Sequence, residues 1–142
     1  MPKDKTKTLE KIIPSAMKEF QEKGFANASM RDIAAGAGIS AAGLYSHFES
    51  KEAMFEALVS PVYEEFLSKY RMEGENQVDQ LREKGIEFMW NSSAEAMNLL
   101  IDCIYSHLDE FRLLILCSEQ SPFEKFTHTL IDMDIEMTLK YL

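Results

Sequence analysis

Cysteine, proline and glycine are scarce in this 142-residue chain, and each shortage excludes a class of protein. The two cysteines, Cys103 and Cys117, cannot build the disulfide framework of a small secreted domain, so we expect the reducing cytoplasm as the compartment. With six glycines, four prolines and no strand-like alternation, the chain is predicted to adopt an all-α fold. No window approaches about 18 uninterrupted apolar residues and the charged N-terminus lacks a signal-peptide pattern, so we expect neither a membrane span nor secretion.

Charge is unevenly distributed along the chain. The net charge is −9, but residues 1–52 hold eight basic and seven acidic side chains, whereas residues 53–142 hold seven basic and seventeen acidic ones. An acidic protein is a poor candidate for binding nucleic acid, because its carboxylates repel phosphates. The nearly neutral first third is the part that can approach phosphates without strong repulsion.

Apolar spacing predicts three helices in the first third. The first covers Leu9 to about Gly24, and two short helices follow Ser29 and Ser40, whose hydroxyls are expected to cap them. Asp32 stands three residues after Ser29, the spacing at which its carboxylate could return a capping-box hydrogen bond.

Four more helices are predicted in the rest of the chain. The fourth begins at Lys51, capped by Ser50, and is expected to bend at Pro61. The polar stretch 71–84 is interpreted as a connection. The last three helices are expected around Trp90–Leu108, Asp109–Glu119 and Phe123–Met137.

Residues 29–48 have the form of a helix-turn-helix. Gly38 can adopt the left-handed conformation that the tight turn requires, and Ile33, Ile39 and Leu44 would pack both short helices on the preceding one. A second helix of about two turns fits a major groove about 12 Å wide.

A longer set of positions makes this motif specific. The set comprises Phe20, Gly24-Phe25, Ala28-Ser29, Ile33-Ala34, Ala37-Gly38-Ile39-Ser40, Leu44-Tyr45, His47-Phe48 and Ser50-Lys51-Glu52. These residues together resemble the DNA-binding domain of the tetracycline-repressor (TetR) family over roughly residues 8–58. The resemblance implies a homodimeric, ligand-responsive transcriptional regulator, commonly a repressor that a small molecule releases from double-stranded DNA.

The resemblance also implies roles for individual residues. Tyr45 and His47 match family positions that touch phosphates, which suits a phenol hydroxyl and an imidazole. Lys51 combines an ammonium with the free N–H groups of a helix start, and Ser29 and Arg31 could bind the other strand similarly. Tyr45 as a core residue and Arg31 as a solvated charge remain open alternatives. The predicted DNA contacts are Ser29, Arg31, Ser40, Ala41, Ala42, Gly43, Tyr45, Ser46, His47 and Lys51.

The second helix of the motif departs from the family where base sequence is read. Family members often carry a basic or larger polar residue after the position of Ser40, whereas Ala41-Ala42-Gly43 offers no side-chain hydrogen bond. Base choice is therefore expected to depend on methyl contacts, on Ser46 and on DNA deformability.

The second half is rich in methionine and aromatic residues, which form adaptable apolar cavities. Most of these side chains are expected to be plain core. The resemblance raises the chance that some line a pocket for a small apolar effector, and the candidates are Phe66, Tyr70, Met89, Trp90, Met97 and Tyr105.

Other chemistry has little support in the sequence. Cys103 and His107 are four residues apart on one predicted helix, but no second pair stands at metal-site spacing, so no metal or other cofactor is predicted. No catalytic motif is present, so we expect no enzyme. The alternative function is a helical protein-interaction module without sequence-specific DNA binding, which the net charge and the short chain favour.

The predicted organisation has three parts. Residues 1–52 form the DNA-binding domain, residues 53–73 the connecting fourth helix, and residues 74–142 a helical effector-binding domain. Proteins of this family usually contain about 200 residues, and their last two helices form a four-helix bundle with a partner. We therefore expect a chain that lacks these helices, exposes an apolar face on its fifth to seventh helices and dimerises weakly.

Overall fold

Seven helices follow one another in the computed structural model, which describes the backbone of residues 5–141 and the side chains of residues 6–88 and 93–140. Their bounds are α1 Lys5–Asn27, α2 Met30–Gly36, α3 Ala41–Tyr45, α4 Lys51–Lys84, α5 Ile86–Ser106, α6 Leu108–Leu116 and α7 Phe126–Tyr141. The described backbone contains no strand. The predicted all-α fold is confirmed.

Contacts between residues group the chain into two compact units. The first comprises the chain up to Ser60 together with Asp109–Glu124, and the second comprises Pro61–Leu108 together with the chain from Lys125. Residues 109–124 thus pack within the same unit as the helix-turn-helix. The functional division at residues 52 and 73 stays a prediction.

Phenylalanine rings form the centre of the first unit. Phe20 on α1 meets Phe55 on α4 edge to face, with ring centroids 5.1 Å apart, and Phe25 lies 5.2 Å from the same ring. Phe20 and Phe55 are fully buried. Such edge-to-face pairs contribute about 0.5–1.5 kcal/mol beyond the area that they bury. This cluster joins the end of α1 to the start of α4.

The end of α1 is shaped by Gly24, where the sequence predicts that the helix stops. Gly24 has non-helical dihedral angles (φ 74°, ψ 165°), and one further turn continues to Asn27. The Phe25 N–H donates to the Cys117 carbonyl at 2.8 Å, and the Gln21 side-chain amide donates to Asp109 at 3.1 Å. The segment after α5 therefore holds the last turns of α1.

The prediction of a connection at residues 71–84 is wrong, because α4 is helical throughout this stretch. The stretch is polar, but it consists largely of good helix formers such as Glu, Gln, Arg and Lys. Val78 and Leu81 are half-buried and line a cleft with Met137 of α7. Tertiary packing of a few apolar side chains therefore extends a helix whose sequence pattern is weak.

In the second unit, α7 runs parallel to the second half of α4. The Tyr63 and Phe126 rings are 5.7 Å apart, the Tyr70 hydroxyl donates to Asp134 at 2.8 Å, and Arg82 donates to a carbonyl near the end of α7. These contacts advance in the same direction along both helices. Burial and the hydrogen bond to Asp134 raise the pKa of Tyr70 to about 12.

Helices of the second unit expose apolar side chains at helical spacing. On α5 they recur every four residues, and on α7 they do the same. The residues are Met97, Ile101, Tyr105, Ile131, Ile135 and Leu139. The predicted exposed apolar face is confirmed for these positions.

Close approach of α1 and α2 depends on Gly36. The Ser15 hydroxyl on α1 donates to the Ile33 carbonyl of α2 at 2.8 Å. A Cβ atom added at Gly36 would lie 2.4 Å from that same hydroxyl oxygen. A side chain at position 36 is therefore incompatible with the present position of the Ser15 hydroxyl.

Gly36→Ala is expected to lower the free energy of unfolding by about 1 kcal/mol, because the Ser15 hydroxyl must rotate and release the Ile33 carbonyl. In a Ser15→Ala background the new methyl would meet only the Cβ of residue 15, at the ordinary distance of 3.5 Å. Gly36→Ala should then cost less. Urea unfolding of the unsubstituted chain, the two single variants and the double variant measures this coupling. Strictly additive effects of the two substitutions on the free energy of unfolding would contradict the explanation.

Candidate nucleic-acid interface

The start of α2 is fixed by hydrogen bonds to both backbone and side chain of Ser29. Ser29 is in the extended conformation, and its hydroxyl oxygen accepts the Asp32 N–H at 3.3 Å, so the predicted N-cap is confirmed. The carboxylate that accepts the Ser29 N–H is not that of Asp32, as predicted, but that of another residue. The Ser29 N–H donates to the Glu19 carboxylate of α1 at 2.9 Å, whereas Asp32 faces Lys23.

Glu19, Lys23 and Asp32 form a charged cluster beside this cap. The Lys23 ammonium lies 2.9 Å from Glu19 and 2.8 Å from Asp32. Hydrogen bonds to Asp32 and then to Glu19 raise the pKa of Lys23 above its ordinary value. Glu19 is only 8% exposed, and a buried charge requires partners. Lys23 and the Ser29 N–H are the partners of its carboxylate. Lys23 is accordingly shared between two carboxylates.

A glycine in the left-handed backbone conformation and a serine N-cap set the direction of α3. Gly38 has φ 70°, and the turn closes where the Ile39 N–H donates to the Ala34 carbonyl at 3.0 Å. The Ser40 hydroxyl accepts the Gly43 N–H at 3.0 Å, and Leu44 is fully buried. The predicted turn and cap are confirmed, and α3 ends at Tyr45.

The predicted contact residues of α3 differ in their exposure. Ser40, Ala42 and Ser46 are exposed, whereas Ala41, Gly43 and His47 are half-buried. The Ser46 hydroxyl donates to the Gly43 carbonyl at 2.6 Å. Tyr45 is 51% exposed, which favours a surface role over the alternative of a core residue.

Several predicted contacts meet along one groove of about 610 Å³. Ser29 and Arg31 line it from α2, Ala41 and Tyr45 from α3, and Lys51 from α4. The other predicted contacts do not line this groove, namely Ser40, Ala42, Gly43, Ser46 and His47. All ten assignments of DNA contacts stay predictions.

Two acidic residues in the groove were missed by sequence reasoning. Glu49 and Glu52 line it beside Lys51, where their carboxylates would repel a nearby phosphate. Their sequence signal is weak, since an acidic residue in the first turn of a helix is common for reasons of stability alone. The cationic character of the groove is therefore modest.

The two cations of the groove differ in their freedom. The Lys51 ammonium donates to the Ala26 carbonyl at 3.2 Å and lies 4.7 Å from the centre of the Phe25 ring. Arg31 is exposed and makes no hydrogen bond or ion pair with the described side chains or backbone. Lys51 thus supports the last turn of α1, and Arg31 is the freer of the two to bind an anion.

The predicted effector residues do not form one described site. Phe66 is buried and stacks on Tyr70 with ring centroids 5.9 Å apart, whereas Met97 and Tyr105 on α5 are 57% and 69% exposed. The side chains of Met89 and Trp90 lie outside the described residues. The effector assignments stay predictions.

A cleft in the second unit contains none of the predicted effector residues. It has a volume of about 450 Å³ and lies between α4 and α7. Its lining residues are Gly74, Gln77, Val78, Leu81, Asp134, Met137 and Thr138. Sequence reasoning missed this cleft because residues 71–84 were interpreted as a connection.

Cys103 and Cys117 both lie in the described region. Both thiols are buried and free, and burial raises the pKa of Cys103 and of Cys117. A raised pKa makes a thiol less reactive, because the thiolate is the nucleophile. Among the described side chains, no group of three or more His, Cys, Asp or Glu could hold a metal ion.

These features define a small helical DNA-binding head of the helix-turn-helix class. Residues 12–58 match the family of bacterial regulatory proteins named the tetR family. Residues 12–58 therefore carry the N-terminal domain of this family. No helix in the described range is long and apolar enough to cross a membrane.

Curated relatives share this part of the chain. The transcriptional regulator UidR of Escherichia coli K12 is 38% identical over 78 residues, which cover 54% of this chain and 40% of UidR. The repressor KstR2 of Rhodococcus jostii is 30% identical over 96 residues, 68% of this chain and 46% of KstR2. The biofilm operon icaADBC negative regulator IcaR of Staphylococcus aureus Newman is 33% identical over 102 residues, 72% of this chain and 44% of IcaR. The chain thus spans less than half the length of these relatives.

Lys51→Met is expected to lower the free energy of unfolding by about 1 kcal/mol, because the apolar stem remains while the bond to Ala26 and the cation–π contact are lost. Lys18→Met on α1 provides the matched control at an exposed position. Thermal unfolding followed by circular dichroism compares the two variants. Equal stability of both would show that the Lys51 ammonium has no structural role.

Proposed function

We propose that this chain is a transcriptional regulator, a repressor, that binds a pseudo-palindromic operator as a homodimer and is released by a small apolar effector. The observation that carries the proposal is the groove in which Ser29, Arg31 and Lys51 lie beside Tyr45 of α3. The relatives support it, since UidR is named a transcriptional regulator, KstR2 a repressor and IcaR a negative regulator.

In this mechanism α3 enters the major groove and the flanking side chains bind phosphates. A helix of five residues is about 8 Å long at 1.5 Å per residue, so it spans only a few base pairs. Its exposed Ala42 and the following Ser46 can offer a methyl group and a hydroxyl to base edges. Two such heads in a dimer would read two half-sites on one face of the duplex.

Effector response would depend on α4. This helix is continuous from Lys51, which lines the DNA-facing groove, to Lys84 in the second unit. It is therefore a direct covalent path between the groove and the cleft at Val78 and Leu81. An effector bound in the second unit would release DNA by favouring a position of α4 that moves Lys51 away from its phosphate.

Arg31→Ala is expected to weaken DNA binding and to reduce the slope of log affinity against log salt by about one, because one phosphate contact is lost. The loss should be similar on all DNA sequences, since a phosphate contact carries no base information. Mobility shifts at several salt concentrations, with the duplex upstream of the chain's own coding region, measure it.

Lys125→Ala is the matched control, because it removes the same charge from a residue that does not line the groove. It should leave the salt slope almost unchanged. An Arg31→Ala slope equal to that of the unsubstituted chain would refute the assignment of Arg31.

An effector should raise the melting temperature of the chain and weaken its DNA binding in parallel, because a ligand that binds the folded state stabilises it by mass action. A library of apolar compounds can be screened by thermal shift and then by mobility shift. Val78→Trp should abolish both effects by filling the cleft, whereas Ile131→Trp alters an exposed residue outside it. Compounds that stabilise the chain without affecting DNA binding would contradict the coupling.

The second candidate is a helical protein-interaction module. The net charge of −9, the absence of long polar side chains on α3 and the exposed apolar residues of α5 and α7 favour it. Mobility shifts at two salt concentrations distinguish the two functions, because only the regulator binds its own upstream DNA more tightly than unrelated DNA.

A further inference from the structure

We propose that Glu19 is a positioning residue for DNA binding, whose buried carboxylate holds Ser29 and thereby sets where the Arg31 guanidinium meets a phosphate. The inference rests on the proposed function. Glu19 is on α1, does not line the groove and is not among the predicted contacts. Its influence on DNA would be exerted entirely through α2.

The hydrogen bond to Ser29 is the first element of this argument. The Glu19 carboxylate accepts the Ser29 N–H at 2.9 Å and is itself 8% exposed. A hydrogen bond from a backbone N–H to a carboxylate is stronger than one between neutral groups. The backbone of Ser29 therefore has a fixed position relative to α1.

The position of Arg31 depends on that of Ser29. It lies two residues after Ser29, in the first turn of α2, and its exposed side chain lines the groove. A helix of seven residues is too short to be stable alone, so its start is defined by its caps and its packing. Loss of the Glu19 bond would let the first turn fray and spread the guanidinium over many positions.

A second attachment holds the middle of α2, at Ile33, and supplies a control. The Ser15 hydroxyl donates to the Ile33 carbonyl at 2.8 Å, also from α1 to α2. Ser15 lies one turn before Glu19 along α1, and its bond is made beyond Arg31 in the sequence. Ser15→Ala therefore weakens the same helix pair without releasing Ser29.

Glu19→Ala and Glu19→Gln separate positioning from charge. Both remove one negative charge, but the glutamine retains an oxygen that can accept the Ser29 N–H. DNA binding by the full chain is measured by mobility shift over a salt series, with the duplex upstream of its own coding region. At about 0.1 M salt, Glu19→Ala is expected to bind about tenfold more weakly than Glu19→Gln, with a salt slope lower by about one.

The Arg31→Ala substitution then tests whether Glu19 affects DNA binding through Arg31. In the Glu19→Gln background it should lower the salt slope by about one, whereas in the Glu19→Ala background it should have little further effect. Ser15→Ala should leave the slope unchanged even though it lowers the melting temperature. If Glu19→Ala does not fold, Glu19→Asp replaces it, because the shorter side chain keeps the charge but withdraws it from Ser29.

The outcomes separate this inference from the function on which it rests. If the unsubstituted chain binds its upstream DNA but Glu19→Ala and Glu19→Gln have equal slopes, Glu19 has no positioning role. An equal loss of slope in Ser15→Ala would likewise overturn it, because general loosening of α2 would then suffice. Failure of the unsubstituted chain to bind any DNA would overturn both proposals together.

Discussion

The contact between the Phe20, Phe25 and Phe55 rings is the constraint on which the helix-turn-helix depends. It brings the end of α1 against the start of α4, with centroid distances of 5.1 and 5.2 Å to the shared Phe55 ring. Phe25 can join this cluster because the chain leaves its helical path at Gly24. The same ring then supports the Lys51 ammonium, so the core and the groove share a residue.

The two helices of the helix-turn-helix are too short to be stable alone. They are therefore stabilised by their caps and by packing on the rest of the first unit. Isolated helices need about 12–15 residues to be stable in water, whereas α2 has seven and α3 has five. The Ser29 and Ser40 hydroxyls each accept one backbone N–H of the first turn, while Ile33 and Leu44 are fully buried. A rigid presentation of the groove follows from caps and burial and not from helix propensity.

The charge of the groove differs from that of the acidic chain as a whole. Most of the negative charge lies after residue 52, and within the first unit Lys23 compensates Glu19 and Asp32. Arg31 stays free at the groove, and Lys51 is shared between the groove and the Ala26 carbonyl. A surface with few free cations implies a weak non-specific affinity, so tight binding would need two heads on one operator.

Local spacing in the sequence determined the elements whose stabilising partners are three or four residues away. The serine caps of α2, α3 and α4 and the left-handed turn at Gly38 could be predicted, because each involves neighbours along the chain. Tertiary structure decided what depends on partners distant in sequence. It gave Ser29 the Glu19 carboxylate in place of Asp32, tied Lys51 to Ala26, kept residues 71–84 helical and placed residues 109–124 with the first unit. Sequence periodicity shows which face of a helix is apolar but not which residue will lie opposite, since that depends on how the whole chain packs.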